Sequence, residues 1–343
     1  MKYDVLLVGA TGQVGRYILR HPSLHDMSVA VLMRRASKKD AASELSYHFN
    51  GPLPQNIDIL LGDALTCNLP TARHVFNAAG YTRLNSTIDK HWGPNVILSL
   101  RLAEHSFNVN AQYHHFSTVS AAMFRKFALT EALTPRLAPR NIPYTASKIT
   151  TELLLPYVAN RYQIYRIGDV VPDRALMKHD FRRNHWMSIL FGCGKSGFEF
   201  IPSDRIFYVL TGTDIANCVM ALAFNSTSNN RHHVLGYPYT LKYLSQFSGG
   251  SGSDIGQRIA KRVSHLLWKD ETWVWPIDNG HTLRNLTNLG VEHEKLGDNY
   301  WRLFSSEARS RLFRGETPTH EYSYPGAGEK NTSNITSTDT AIS

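Results

Sequence analysis

Cysteine is scarce, with only Cys67, Cys193 and Cys218 in 343 residues. They are widely spaced and form neither a CxxC pair nor a small disulfide framework, so they read as reduced and structural. Long apolar runs are missing too. None approaches the roughly 20 residues of a membrane span, and the first strand-like stretch, Val5 to Val8, is too short for the apolar core of a signal peptide. The expectation is a cytoplasmic protein without a membrane span. No TPR, ankyrin or propeller period occurs. Acid is in deficit, with 28 Asp and Glu against 37 Lys and Arg and a net charge of +9. Such a balance favours anionic partners. Its basic residues are dispersed, apart from Arg34-Arg35 with Lys38-Lys39 and Arg182-Arg183, so no nucleic-acid groove is expected. The 42% of hydrophobic residues is ordinary globular composition and ample for a sizeable core.

Short apolar runs alternate with amphipathic ones through the N-terminal half, the pattern of βα units stacked into a parallel sheet. Strands fit at Tyr3 to Val8, Ser28 to Met33, Ile57 to Leu61, His74 to Asn77, Tyr113 to Ser117 and Gln163 to Arg166. Helices fit at Gln13 to Arg20, Asn95 to His105 and Ala146 to Ala159. The fold class is α/β, a doubly wound parallel sheet over 1–167 with a smaller C-terminal lobe over 168–315. Residues 207–224 are expected to return to the large sheet. The tail, 316–343, is rich in Ser, Thr, Asn and Gly, and is expected to be disordered.

Gly9-Ala10-Thr11-Gly12-Gln13-Val14-Gly15 follows the first strand and opens a helix, the context a dinucleotide fingerprint needs. Small residues let the backbone approach a pyrophosphate, and helix N–H groups stabilise its charge. After the second strand, where an NAD site places an acid for the ribose 2′-hydroxyl, this chain has Arg34 and Arg35. Their planar forks suit a 2′-phosphate, so NADP(H) is preferred over NAD(H). Asp63, in Gly62-Asp63-Ala64, either contacts the adenine or caps the segment that follows.

Four features together resemble the extended short-chain dehydrogenase/reductases over about residues 3 to 300. They are the glycine loop, Asn77-Ala78-Ala79-Gly80, Phe116-Ser117-Thr118, and Tyr144-Thr145-Ala146-Ser147-Lys148. Helical i, i+4 spacing puts Tyr144 and Lys148 on one face, where the ammonium is expected to lower the phenol's pKa. The resemblance implies that Tyr144 moves the carbonyl proton, that Thr118, or in its place Ser117, hydrogen-bonds the same oxygen, and that Lys148 holds the nicotinamide ribose. It also implies that Asn95 shapes the helix beside the site, although that residue suits a plain N-cap as well. Val8 and Gln13 stand where family members carry Thr and an aromatic residue.

Phe76 to Asn85 and His114 to Ser120 look most like thioester-reductase-type members, which reduce carrier-bound or CoA acyl thioesters or related carbonyls. Residues Tyr81, Ala121, Ala122, Met123, Phe124, Phe127, Val171, Trp186 and Phe191 suggest a fairly apolar substrate pocket, with Arg83 and Ser120 as further substrate-side candidates. The expectation is therefore an NADP(H)-dependent oxidoreductase acting on a small-molecule or carrier- or CoA-bound acyl substrate, with a homodimer compatible and no metal. A sugar-nucleotide epimerase or dehydratase and a non-catalytic NADP sensor or scaffold are the alternatives.

Overall fold

The computed structural model describes residues 1–49, 51–83, 86–124, 127–128, 131, 142–177, 185–199, 201, 205–226, 229–249, 258, 261 and 277–312. The predicted disordered tail lies outside them.

The alternation of apolar runs closes into a seven-stranded sheet of order β11-β8-β5-β4-β1-β2-β3, parallel throughout. Its strands are β1 (Tyr3–Val8), β2 (Val29–Met33), β3 (Ile57–Leu61), β4 (Ala72–Asn77), β5 (Gln112–Thr118), β8 (Tyr162–Ile167) and β11 (Asn230–Val234). A ribbon of β6 (Met123–Phe124) and β7 (Phe127–Ala128) intervenes after β5. Strands such as Tyr-Asp-Val-Leu-Leu-Val are nearly continuous in apolar residues because helices cover both faces. On one face Val5, Leu7, Val31, Phe76, Phe116 and Tyr165 pack with Tyr17 and Ile18 of α1 (Gly15–Leu19) and with Ala41 and Leu45 of α2 (Lys38–Phe49). On the other, Leu6, Val8, Val75, Tyr113 and Ile164 pack on Leu98 and Leu102 of α4 (Leu98–Asn108), which follows α3 (Ile88–His91), and on Leu155 of α5 (Pro143–Val158).

A second sheet of order β12-β10-β9 unites β9 (Asp169–Val171), β10 (Ile206–Thr211) and β12 (Tyr237–Thr240). Its core is aromatic. Phe191 of α6 (His185–Gly192) stacks on Trp301 of α10 (Asp298–Leu312) at 5.6 Å between centroids, with Tyr239 and Phe304 edge-on to Trp301.

The structure divides the segment 207–224 that was expected to rejoin the large sheet. Strand β10 lies in the small sheet, while α7 (Gly212–Asn225) buries Ile215, Val219 and Leu222 against the large one. The strand that rejoins is β11, beside β8. After β12 come α8 (Leu241–Ser245) and α9 (Gly280–Asn288).

A row of buried polar rings crosses the sheet under α7. His74 Nδ1 lies 3.0 Å from His114 Nε2, and His114 Nδ1 lies 3.0 Å from the Tyr165 hydroxyl. Tyr165 stacks on His232, whose Nε2 meets Gln163 Oε1 at 2.6 Å. Burial holds the His114 imidazole well below its ordinary range and pushes His74 down to about 4 and His232 to about 3.

Strands β1 and β4 lie side by side where the strand order reverses, so the loops after them open a crevice at the carboxyl edge, the usual ligand position in such sheets. Gly9 lets these loops meet. Its φ is +89°, and a Cβ there would stand 2.4 Å from Ala79 N and 2.5 Å from the Ala78 carbonyl carbon. A Gly9→Ala protein is expected to lose at least about 1–3 kcal/mol from the left-handed backbone alone, and more from the clash. Urea unfolding measures it, and a wild-type midpoint would contradict the close approach.

Candidate active site

The glycine loop turns tightly. Gly12 N donates to Gly9 O at 3.0 Å, and Gly15 has no room for a side chain because a Cβ would lie 2.1 Å from that carbonyl. The helix beyond, α1, is shorter than the sequence suggests and begins at Gly15, with Val14 as its N-cap. Thr11, Gln13 and Val14 are partly buried along the turn. Gln13 Nε2 is buried with no hydrogen-bond partner among the described residues. A donor orphaned in a turn of this kind fits a nucleotide phosphate or ribose oxygen.

Beyond β2 the two arginines differ. Arg35 is committed to Glu44 of α2, with Nε to Oε2 at 2.7 Å, and its Nη1 donates to the Arg34 carbonyl at 2.7 Å. Arg34 is more exposed and its Nη1 stands 3.9 Å from Asp63. Asp63 Oδ1 accepts from Leu65 N at 2.9 Å, so it caps the following turn, one of the two roles its sequence position allowed. The Ala64 side chain is core, packed beneath this edge. Ala78 N donates to Val8 O at 2.9 Å, fastening the β4 loop to β1. Asn77, the first residue of the Asn-Ala-Ala-Gly segment, turns its amide inward, donating to Ser99 Oγ at 2.9 Å and Tyr113 Oη at 3.0 Å.

At the edge of β5 the groups named for chemistry converge. Pro143 at the first turn opens α5, and Tyr144, Lys148 and Glu152 follow at successive turns. Tyr144 hydrogen-bonds the Thr118 hydroxyl; burial pushes its phenol up to about 12, with that bond pulling the other way. Lys148 Nζ donates to Phe116 O at 2.8 Å and would stand 3.5 Å from a Cβ on Gly80. Burial draws the ammonium down to about 8, partly offset by the Glu152 carboxylate. The phenol thus lies above its ordinary value, contrary to the expected depression, because burial dominates while the ammonium is turned to the Phe116 carbonyl.

Asn95 does not cap a helix. Residues Ile88–His91 run into a π-helical turn, Trp92–Ile97, that continues as α4. From this turn Asn95 Oδ1 accepts from Tyr81 N at 2.7 Å, and Nδ2 donates to Tyr81 O at 3.0 Å and Ser147 Oγ at 2.9 Å. It therefore ties the β4 loop to α5. His91 packs between Tyr81 and Tyr144, with ring centroids 5.0 and 6.1 Å away.

Ser117 differs from expectation, since its hydroxyl donates to the Glu152 carboxylate beneath the site. Two supposed pocket residues also differ: Val171 and Phe191 are buried in the aromatic core of the second lobe. Ser120 N approaches Thr118 Oγ1 at 3.3 Å, and Arg83 is exposed. The side chains of Ala122, Met123, Phe124, Phe127 and Trp186 lie outside the described residues. Two clefts, of about 460 and 440 Å³, open elsewhere, the first beside His21 and Asn217 and the second beside Asp173 and Glu294.

Sequence reasoning missed Glu152, Arg166 and His91. For two of these the signal was present. Glu152 extends the Tyr144, Lys148 spacing by one more turn, and Arg166 is the lone charge in its strand, Tyr162–Ile167.

Residues 5–170 match the model of the NAD dependent epimerase/dehydratase family. No curated protein matches the chain. Among solved structures, the reductase domain of the aureusimine biosynthetic cluster is similar at TM-score 0.68 and 18% identity, over 90% of each chain. The terminal R domain of the myxalamid PKS-NRPS pathway gives 0.68 and 18%, over 90% of this chain and 91% of that one. UDP-glucuronic acid 4-epimerase from Bacillus cereus, solved with NAD, gives 0.58 and 13%, over 89% and 98%.

Proposed function

We propose, from the match of residues 5–170 to the NAD dependent epimerase/dehydratase family, an NADPH-dependent reductase of the extended short-chain dehydrogenase/reductase type, acting on a carbonyl or acyl thioester of a fairly apolar substrate. One observation carries the reading. A buried tyrosine is hydrogen-bonded to Thr118 and stands one helical turn from a buried lysine, and burial pushes its phenol up, so it carries its proton at neutral pH. Such a phenol is suited to give a proton to an oxygen that is gaining electrons.

A nicotinamide held there would supply the hydride. The glycine loop, with Gln13 Nε2, would hold the pyrophosphate, Arg34 the 2′-phosphate and Lys148 the ribose. Thr118 Oγ1 orients the substrate oxygen toward Tyr144, whose proton completes the alcohol or hemithioacetal. The similarity to the reductase domain of the aureusimine cluster and the R domain of the myxalamid PKS-NRPS pathway supports a reductase, and a basic protein suits an acidic carrier or CoA phosphate. The test is NADPH oxidation with acyl-CoA esters, apolar aldehydes and UDP-sugars side by side. Turnover confined to UDP-sugars, with NAD retained through purification, would replace this reading by epimerase chemistry.

Cofactor choice gives a separate prediction. Arg34, the more exposed of the two arginines beyond β2, is assigned the 2′-phosphate. A charge-assisted bond of about 1.5–3 kcal/mol predicts that Arg34→Ala weakens NADPH roughly ten- to a hundredfold and leaves NADH nearly unchanged. Fluorescence titration of both cofactors measures it, and equal wild-type affinities would exclude NADP selectivity.

A further inference from the structure

We propose that Glu152 and Arg166 are positioning residues, a buried ion pair that locks the helix bearing Tyr144 and Lys148 against the strand end bearing Thr118. The proposal rests on reading those three as the working groups. Both charged side chains are 0% exposed, and Arg166 Nη2 lies 2.7 Å from Glu152 Oε2. Arg166 Nε reaches both carboxylate oxygens, at 3.2 and 3.1 Å. The same carboxylate accepts the Ser117 hydroxyl.

The placement gives this cluster its consequence. Ser117 immediately precedes Thr118, and it is the register partner of Arg166 across β5 and β8. Glu152 is one turn beyond Lys148 and two beyond Tyr144 on one face of α5. Fixing Glu152 to both strands therefore sets how far α5 can slide along them. That slide is the coordinate separating the Tyr144 hydroxyl from the Thr118 hydroxyl. A buried carboxylate and guanidinium with neighbouring hydrogen bonds tolerate little displacement, because any opening strands a charge without water.

The lock extends toward the second lobe. Arg166 Nη1 donates to His233 Nε2 at 2.9 Å, and His233 Nδ1 donates to Asp278 O at 2.7 Å. Glu131 accepts from His233 N at 3.0 Å and from Thr282 N at 3.0 Å. The groups around Lys148 are Tyr144 and Glu152 on its own helix, His115 on β5 and His91 on α3. Behind Glu152 stand Arg166 and, 3.8 Å away, Arg231. Glu152 is the one anion among them.

The test compares Glu152→Gln, which keeps shape but deletes the charge, with Ser117→Ala, which keeps the ion pair and cuts its tie to β5. Three readouts are taken: thermal unfolding; kcat and KM for NADPH with decanal as the carbonyl probe; and the Lys148 titration midpoint by carbon NMR of ε-13C-lysine protein without cofactor, assigned with Lys148→Arg. Displacement on the ångström scale predicts a kcat loss of about tenfold for Ser117→Ala and about a hundredfold for Glu152→Gln, with KM for NADPH within about threefold. The Lys148 midpoint should fall by more than about half a unit in Glu152→Gln and stay put in Ser117→Ala. A folded Glu152→Gln protein with wild-type kcat and an unmoved Lys148 overturns the proposal. Should that variant not fold, Ser117→Ala decides, and wild-type kcat in it is equally fatal. A wild type that leaves NADPH unoxidised with decanal counts against the reductase reading instead, and the Lys148 midpoints then judge the positioning claim.

Discussion

Tyr144→Phe should lower the chemical step by about 10²–10⁴ while NADPH affinity stays close to wild type. The substitution keeps the ring between His91 and the strand edge and removes only the proton and its bond to Thr118. Lys148→Met should lose both rate and cofactor affinity, since the ammonium is assigned the ribose and lies against Gly80 and the Phe116 carbonyl. Single-turnover NADPH oxidation separates the two effects. If Tyr144→Phe consumed NADPH within a few-fold of wild type, the phenol would not be the acid.

The second large effect is loss of stability in mild acid. Burial depresses His74 and His233 to about 4 and His232 to about 3, with His114 also far below its ordinary range. Each is neutral in the fold and free to charge near pH 6.5 once unfolded. The unfolded state then binds more protons, so stability is complete above about pH 6.5 and drains away as pH falls toward 4. Asp169 opposes this, because burial lifts its carboxyl to about 6, but the depressed imidazoles among the described residues, His115 included, outweigh it. At about 1.4 kcal/mol per unit the histidines amount to several kcal/mol, comparable with the whole stability of a domain. Urea midpoints at pH 7.5, 5.5 and 4.5 should fall steeply. A flat profile to pH 4.5 would mean that the rings take up protons in the folded protein.

What the sequence made readable was local. The parallel sheet announced itself because strands covered on both faces carry near-continuous apolar runs, and strand β1 emerges at Tyr3–Val8 as read. Gly9, Tyr144, Lys148 and Thr118 stood out because spacing and chain position confine where they sit. Contacts made across the fold were not readable. Nothing in the order of residues says that the Asn77 amide turns to Ser99 and Tyr113, that Asn95 sits in a π turn and grips Tyr81, or that Ser117 is taken by Glu152. Val171 and Phe191 look like pocket residues because an apolar side chain in a connecting segment has the same composition whether it meets a ligand or Trp301. Only the packing of α10 distinguishes the two.

The order β11-β8-β5 also constrains how the molecule is made. Strand β8 gains its outer neighbour only when residues 230–234 arrive, after β9 and β10 have been laid into the other sheet. During synthesis the first six parallel strands can associate while one flank of β8 still presents unpaired backbone, the condition under which sheets recruit wrong partners. A fragment cut after Ile167 would keep that flank open permanently and would leave Arg166 without His233. The first six parallel strands are therefore not a unit that evolution or an engineer can lift out whole. Exchanging the second lobe between relatives would have to carry the returning strand along with the insert.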